Sequence, residues 1–113
     1  MSPITTHVLD IARGRPAAGL TVFIDYRDEK GGWEELASGT TNADGRIPDL
    51  LKTTVLKTGI YRVRFATGDY FQSVSVRAFY PEVQVVVFLD DPAGHYHIPL
   101  LLSPYGYSTY RGS

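Results

Sequence analysis

Three histidines and one arginine are the residues of this chain best suited to chemistry at neutral pH: His7, His95, His97 and Arg46. An imidazole with an unperturbed pKa of about 6.5 can accept and return a proton without extensive tuning. A guanidinium carries fixed N–H donors that hold a carbonyl or urea edge and stabilise charge developing on oxygen. Taken singly, each has a plainer reading. A histidine in a strand is more often a surface or hydrogen-bonded residue than a catalyst, and an arginine after a turn is more often a solvated charge. His95 and His97 would share one face of a strand, yet no cysteine and no paired carboxylates stand near them to complete a zinc set. The G-x-S-x-G elbow, the phosphate-binding glycine loop and the H-E-x-x-H helix are all missing from the sequence.

The segments that would hold these residues read as strands, short runs rich in Val, Ile, Tyr, Phe and Thr divided by Gly, Pro, Asn and Asp. A strand over 4–10 puts Thr6 and Val8 inward and His7 on the outer face beside Thr5 and Leu9. A strand over 20–27 turns Leu20, Val22, Ile24 and Tyr26 to the core. Another over 33–41 closes at Asn42-Ala43-Asp44-Gly45, a tight turn directly before Arg46. The alternation over 59–66 sends Tyr61, Val63 and Phe65 inward and Arg62 and Arg64 outward. Residues 68–76 predict a short helix capped by Asp69, with Tyr70 over Val74, although Val74-Ser75-Val76 also alternates like a strand.

Residues 82–89 carry Val83, Val85, Val87 and Leu89 on one face and Val86 and Phe88 on the other, so both faces require cover. A strand of this kind at a sheet edge suits edge-to-edge dimerisation. The last strands, 96–102 and 105–111, form a hairpin across Ser103-Pro104. Tyr96, Ile98, Leu100 and Leu102 face the core, and His97, Pro99 and Leu101 face away. The fold class is therefore all-β, a two-sheet sandwich or a barrel.

Composition narrows the partners. The 113 residues suit one domain, 1–113, with its own core, and 43% hydrophobic against 20% charged is a folding composition. Eleven Lys and Arg against twelve Asp and Glu leave a net charge of -1, which argues against nucleic acid or an anionic membrane as partner and for a small molecule or a protein. No stretch approaches the ~18 apolar residues of a membrane span. Residues 1–10 lack a leader's basic and apolar regions, and the final residues do not match the peroxisomal tripeptide, so a cytoplasmic location is expected. The eight tyrosines fit cross-strand packing better than a binding face.

Longer motifs change the weight of the four candidates. The run IPLLLSPYGYST from Ile98 to Thr109 closely resembles the last two strands of the transthyretin family. His7-Val8-Leu9-Asp10, Gly14-Arg15-Pro16-Ala17, Gly59-Ile60-Tyr61 and Phe79-Tyr80-Pro81-Glu82-Val83 extend the resemblance over nearly the whole chain. The tetrapeptide Tyr110-Arg111-Gly112-Ser113 looks like the signature of the hydroxyisourate hydrolases of that family and is lacking in its thyroid-hormone carriers. His7, Arg46 and His97 stand where those hydrolases carry His, Arg and His.

The resemblance implies a two-sheet, eight-strand sandwich with one short helix, assembled as a homotetramer, a dimer of dimers, around a central channel. It implies hydrolysis of 5-hydroxyisourate by water, with neither metal nor organic cofactor, and His7, Arg46 and His97 as catalytic residues. Arg46 would hold the substrate's urea-like edge, and the two histidines would share water activation and leaving-group protonation in an unassigned order. Ser108 would line the channel with His7, His97 and Tyr110, while Tyr110, Arg111, Gly112 and Ser113 would shape and close the pocket. The alternative within the same family is a ligand carrier without turnover.

Overall fold

The computed structural model describes residues 2–52 and 56–113. Two four-stranded sheets enclose the core. The first contains β1 (Ile4–Asp10), β2 (Arg15–Pro16), β7 (Tyr96–Ser103) and β8 (Gly106–Thr109), in the order β2-β1-β7-β8. The second contains β3 (Thr21–Arg27), β4 (Trp33–Thr40), β5 (Gly59–Phe65) and β6 (Val83–Leu89), in the order β4-β3-β5-β6. β1 and β7 run parallel, and the other pairings are antiparallel. This is the expected eight-strand sandwich. Its eighth strand is β2, only two residues long. Pro16 there pairs with Leu9 at the sheet edge, where a missing N–H is tolerated.

The alternating positions behave as their periodicity predicts. Ile4, Thr6 and Val8 of β1, Val22 and Ile24 of β3, Tyr61, Val63 and Phe65 of β5, and Tyr96, Ile98, Leu100 and Leu102 of β7 are buried between the sheets. Tyr26 and Val87 are only partly buried at the margin of that core. Truncating a central side chain such as Leu100 to alanine would cost about 2–5 kcal/mol, the lost transfer energy plus the cavity left behind.

The helix differs from its expected form. α1 spans Thr67–Ser73, its N-cap is Ala66, and no side chain caps it, so Asp69 lies in the first turn without serving as the cap. Tertiary burial fixes the segment instead: Tyr70 and Phe71 are buried, and the Tyr70 hydroxyl donates to the buried carboxylate of Asp10 at 2.8 Å. The helix ends at Ser73, with Val74 as its C-cap. Ser75 adopts a φ of 60°, and the N–H groups of Ser75 and Val76 return to the carbonyls of Gln72 and Phe71, which satisfies the last turn and turns the chain.

The outer face of the second sheet carries an ion cluster. Arg62 and Arg64, expected to point outward, both donate to Asp25, at 2.8 and 2.6 Å, and Arg64 also reaches Glu35 at 3.1 Å. The Asp25 side chain is almost fully covered. Burial pushes its pKa upward, but the hydrogen bonds and charges of Arg64 and Arg62 outweigh this and hold it below the usual carboxylate range.

β6 and β8 are the edge strands on one flank of the sandwich, and a cleft between them is lined by Val85, Phe88, Ile98 and Tyr110. Val86 and Phe88 are 57% and 63% exposed, so the outer face of β6 is left largely uncovered by the described residues. No helix among those residues is long and apolar enough to cross a membrane.

Candidate active site

The parallel pairing of β1 with β7 sets Thr5 opposite His97 and His7 opposite Pro99. Burying Ile4, Thr6 and Val8 turns Thr5 and His7 to the outer face of the first sheet, and burying Tyr96 and Ile98 turns His97 to the same face. Neighbouring strands lie about 4.8 Å apart. Side chains on this face therefore meet. Thr5 Oγ1 lies 2.8 Å from His97 Nδ1 and 3.4 Å from His95 Nε2.

On the other side of β1, the loop after β4 delivers Arg46. Asn42 organises that loop, its Oδ1 accepting the N–H groups of Asp44 and Arg46 at 2.9 and 3.1 Å, while its own N–H donates to the Arg46 carbonyl. Gly45 takes a φ of 75° and passes its carbonyl to the Val8 N–H at 2.9 Å. A Cβ at Gly45 would collide with the Val8 carbonyl oxygen, so a glycine is required there. The result is a β-bridge between Arg46 and His7.

Beyond β8 the tail runs back along β7. The register that sets Leu101 opposite Ser108 continues until His97 stands opposite Gly112, whose N–H donates to the His97 carbonyl at 2.8 Å. Ser108 and Tyr110 accordingly share the face of His97. Arg111 does not. Its guanidinium lies over the ring of inward-facing Tyr96, 4.7 Å from the centroid, on the far side of the sheet from the histidines. Ser113 follows Gly112 at the exposed end of the tail.

Across the sheet the order is Arg46, then Thr5 and His7, then His97, then Gly112. His7 and His97 are half-buried, whereas Arg46, Ser108 and Tyr110 are exposed, so the face is open on its outer side. The His97 pKa is lowered, first by burial and then by the charges of Arg46, His7 and His95. Both effects favour the neutral form of the His97 imidazole. A neutral imidazole beside a guanidinium can take a proton from water while the cation stabilises charge on a carbonyl oxygen. Among the described residues, no three His, Cys, Asp or Glu side chains come together as a metal-holding group.

Sequence reasoning did not single out Thr5. The signal was its place two residues before His7, on the same face of the same strand. Its partner across β7 is set by the pairing of distant segments.

Residues 4–112 match the HIUase/Transthyretin family. The chain belongs to that family. Within it, a mouse 5-hydroxyisourate hydrolase is 44% identical over 113 residues, covering 99% of this chain and 96% of the mouse protein. A 5-hydroxyisourate hydrolase from Klebsiella pneumoniae superposes with a TM-score of 0.85 at 36% identity, covering 97% of this chain and 98% of its own. Sea bream transthyretin in complex with thyroxine superposes with a TM-score of 0.92 at 33% identity, covering 98% and 95%. The HIUase/Transthyretin fold is thus common to a hydrolase and to a thyroxine-binding protein, and residues on the fold must separate the two functions.

Proposed function

We propose that this chain is a hydrolase that opens the six-membered ring of 5-hydroxyisourate to 2-oxo-4-hydroxy-4-carboxy-5-ureidoimidazoline, a step of urate degradation. One observation carries the reading: His7 of β1, His97 of the neighbouring β7, and Arg46, bridged to His7 from the loop after β4, bring two imidazoles and a guanidinium to one face. Relatives named 5-hydroxyisourate hydrolase, 44% identical over nearly the full length, support it.

In this scheme water is the nucleophile. His97, favoured in its neutral form by burial and by the charge of Arg46, accepts the proton as water attacks the ring carbonyl. Arg46 holds the urea-like edge and stabilises the tetrahedral oxyanion. His7 stands next to both and shares with His97 the return of the proton to the leaving nitrogen. Tyr110 and Ser108 bound the pocket, Gly112 and Ser113 close it around His97, and Arg111 anchors the tail by its stacking on Tyr96.

The open outer side of this face calls for closure by other subunits. The exposed edges β6 and β8 suit a dimer formed strand to strand, and two such dimers meeting over the β1, β7 and β8 face would enclose the sites in a homotetramer. A cytoplasmic location belongs to the same proposal.

The test generates 5-hydroxyisourate in place from urate with urate oxidase and follows its ultraviolet decay. Decay accelerated by the wild type and not by His7→Ala or His97→Ala is the expected result. A tetrameric wild type that leaves the decay unchanged would instead support a carrier without turnover, the function of the family that needs no proton acceptor.

A further inference from the structure

His95 is the one histidine that the scheme above leaves unused, yet it is tied to His97 through a single hydroxyl. Thr5 Oγ1 contacts His97 Nδ1 at 2.8 Å and His95 Nε2 at 3.4 Å. These are the two hydrogen-bond partners of its side chain among the described residues. A threonine hydroxyl has one proton to donate and lone pairs to accept, so it can donate to only one of these rings at a time.

We propose that Thr5 is a positioning residue that decides which nitrogen of His97 carries the proton, and that exposed His95 is the outlet for that proton during hydrolysis. The inference rests on the hydrolase reading. With the Thr5 proton directed at His95 Nε2, the hydroxyl accepts the Nδ1–H of His97, and His97 Nε2 presents a bare lone pair to water. With the proton directed at His97 Nδ1, the donor to the hydroxyl is His95 Nε2–H, and His97 carries its own proton on Nε2. The first arrangement is the base and the second is the acid.

One shift along this line interconverts them. The water proton moves to His97 Nε2, the Nδ1 proton moves to Thr5 Oγ1, and the Thr5 proton moves to His95 Nε2. The hydroxide left behind bonds to the ring carbonyl carbon. The positive charge then resides on His95, which is exposed, and not on His97. The reverse shift returns a proton through His97 Nε2 to the leaving ring nitrogen as the carbon–nitrogen bond breaks. Water has then been divided into the hydroxyl on carbon and the proton on nitrogen, and both histidines and Thr5 are restored.

The surroundings explain why charge would be passed outward. His7 from β1 and Arg46 from the loop after β4 both face His97, Tyr110 shares its face from the tail, and His95 stands just before the first residue of β7. Of these neighbours His7 is half-buried like His97, whereas Arg46, Tyr110 and His95 are exposed. A lasting imidazolium at that position would be opposed by burial and by Arg46, whereas the same charge on His95 is solvated.

The test uses the assembled protein and the variants Thr5→Val, Thr5→Ser and His95→Asn, with 15N spectra of the imidazoles and pH profiles of kcat and KM. The expected wild-type spectrum at neutral pH shows His97 protonated on Nδ1. Thr5→Val is expected to mix the two tautomers and to lower kcat about tenfold to a hundredfold with KM little changed, and Thr5→Ser to restore both. His95→Asn is expected to lower kcat about tenfold while the His97 tautomer holds. A wild-type His97 protonated on Nε2, or a Thr5→Val protein with the wild-type tautomer and kcat, would overturn the proposal. If Thr5→Val does not assemble, a His95→Asn protein with wild-type kcat overturns the outlet, and loss of the Nδ1 tautomer in Thr5→Ser overturns the positioning. A Thr5-dependent tautomer in a wild type that hydrolyses nothing would sink the hydrolase reading and the outlet, and leave the positioning standing.

Discussion

Gly112 lies so close to the imidazole of His97 that a Cβ built on it would stand 2.6 Å from His97 Cδ2. The backbone of the tail thus packs directly on the ring, with its N–H on the His97 carbonyl. Gly112→Ala must move either the tail or the ring. Because a displacement of about 1 Å in a reacting group can cost on the order of a hundredfold, kcat/KM should fall by that order while the circular dichroism spectrum stays native. Deleting residues 110–113 should abolish turnover for the same reason. A truncated tetramer with full activity would remove the tail from the site.

Arg46→Ala should lower kcat about a hundredfold to a thousandfold, the cost of removing a donor to a developing oxyanion. The loop should survive the change, since Asn42 and Gly45 shape it through backbone contacts and the Arg46 side chain is exposed. Steady-state kinetics beside a melting curve would check this, and a folded variant with wild-type turnover would contradict the assignment.

The lowered pKa of His97 fixes the acid side of the pH profile. Activity that needs neutral His97 should rise through a midpoint below 6.5 and then level off. Arg46→Gln removes one of the positive charges that depress this pKa, so the midpoint should move up. Stability follows the same sign. A histidine held neutral by the fold binds fewer protons than in the unfolded chain, so its contribution is fully present above about 6.5 and declines as pH falls toward the folded value. Titration of the His97 ring signals by NMR in both proteins would read the shift directly.

Asp25→Asn should destabilise the fold without touching the site, by about 3 kcal/mol, because it leaves two partly buried guanidiniums facing a neutral amide. The depressed Asp25 pKa gives stability that is present above the unfolded value of 3.8 and lost as pH falls through the folded one. Denaturant melts should therefore show the wild type losing its advantage over Asp25→Asn in acid. A constant difference down to pH 2 would refute the coupling.

The sequence by itself determined the all-β class, the inward and outward sides of most strands, and the shared outer face of His7 and Thr5. These follow from alternation with a period of two, which any strand must obey. The residues of the hairpin and the tail tied the chain to its family. Only the tertiary structure decided which strand lies beside which. The parallel pairing of β1 with β7 joins residues more than ninety positions apart, Thr5 and His97. The Arg46 bridge to His7, the β2 edge and the turn of Arg111 onto Tyr96 likewise depend on register between distant segments. α1 shows the same limit, since Asp10 and the core hold it in place where local capping signals pointed to Asp69. Periodicity is a local property and can be read along the chain, whereas register is set by which distant side chains pack best together.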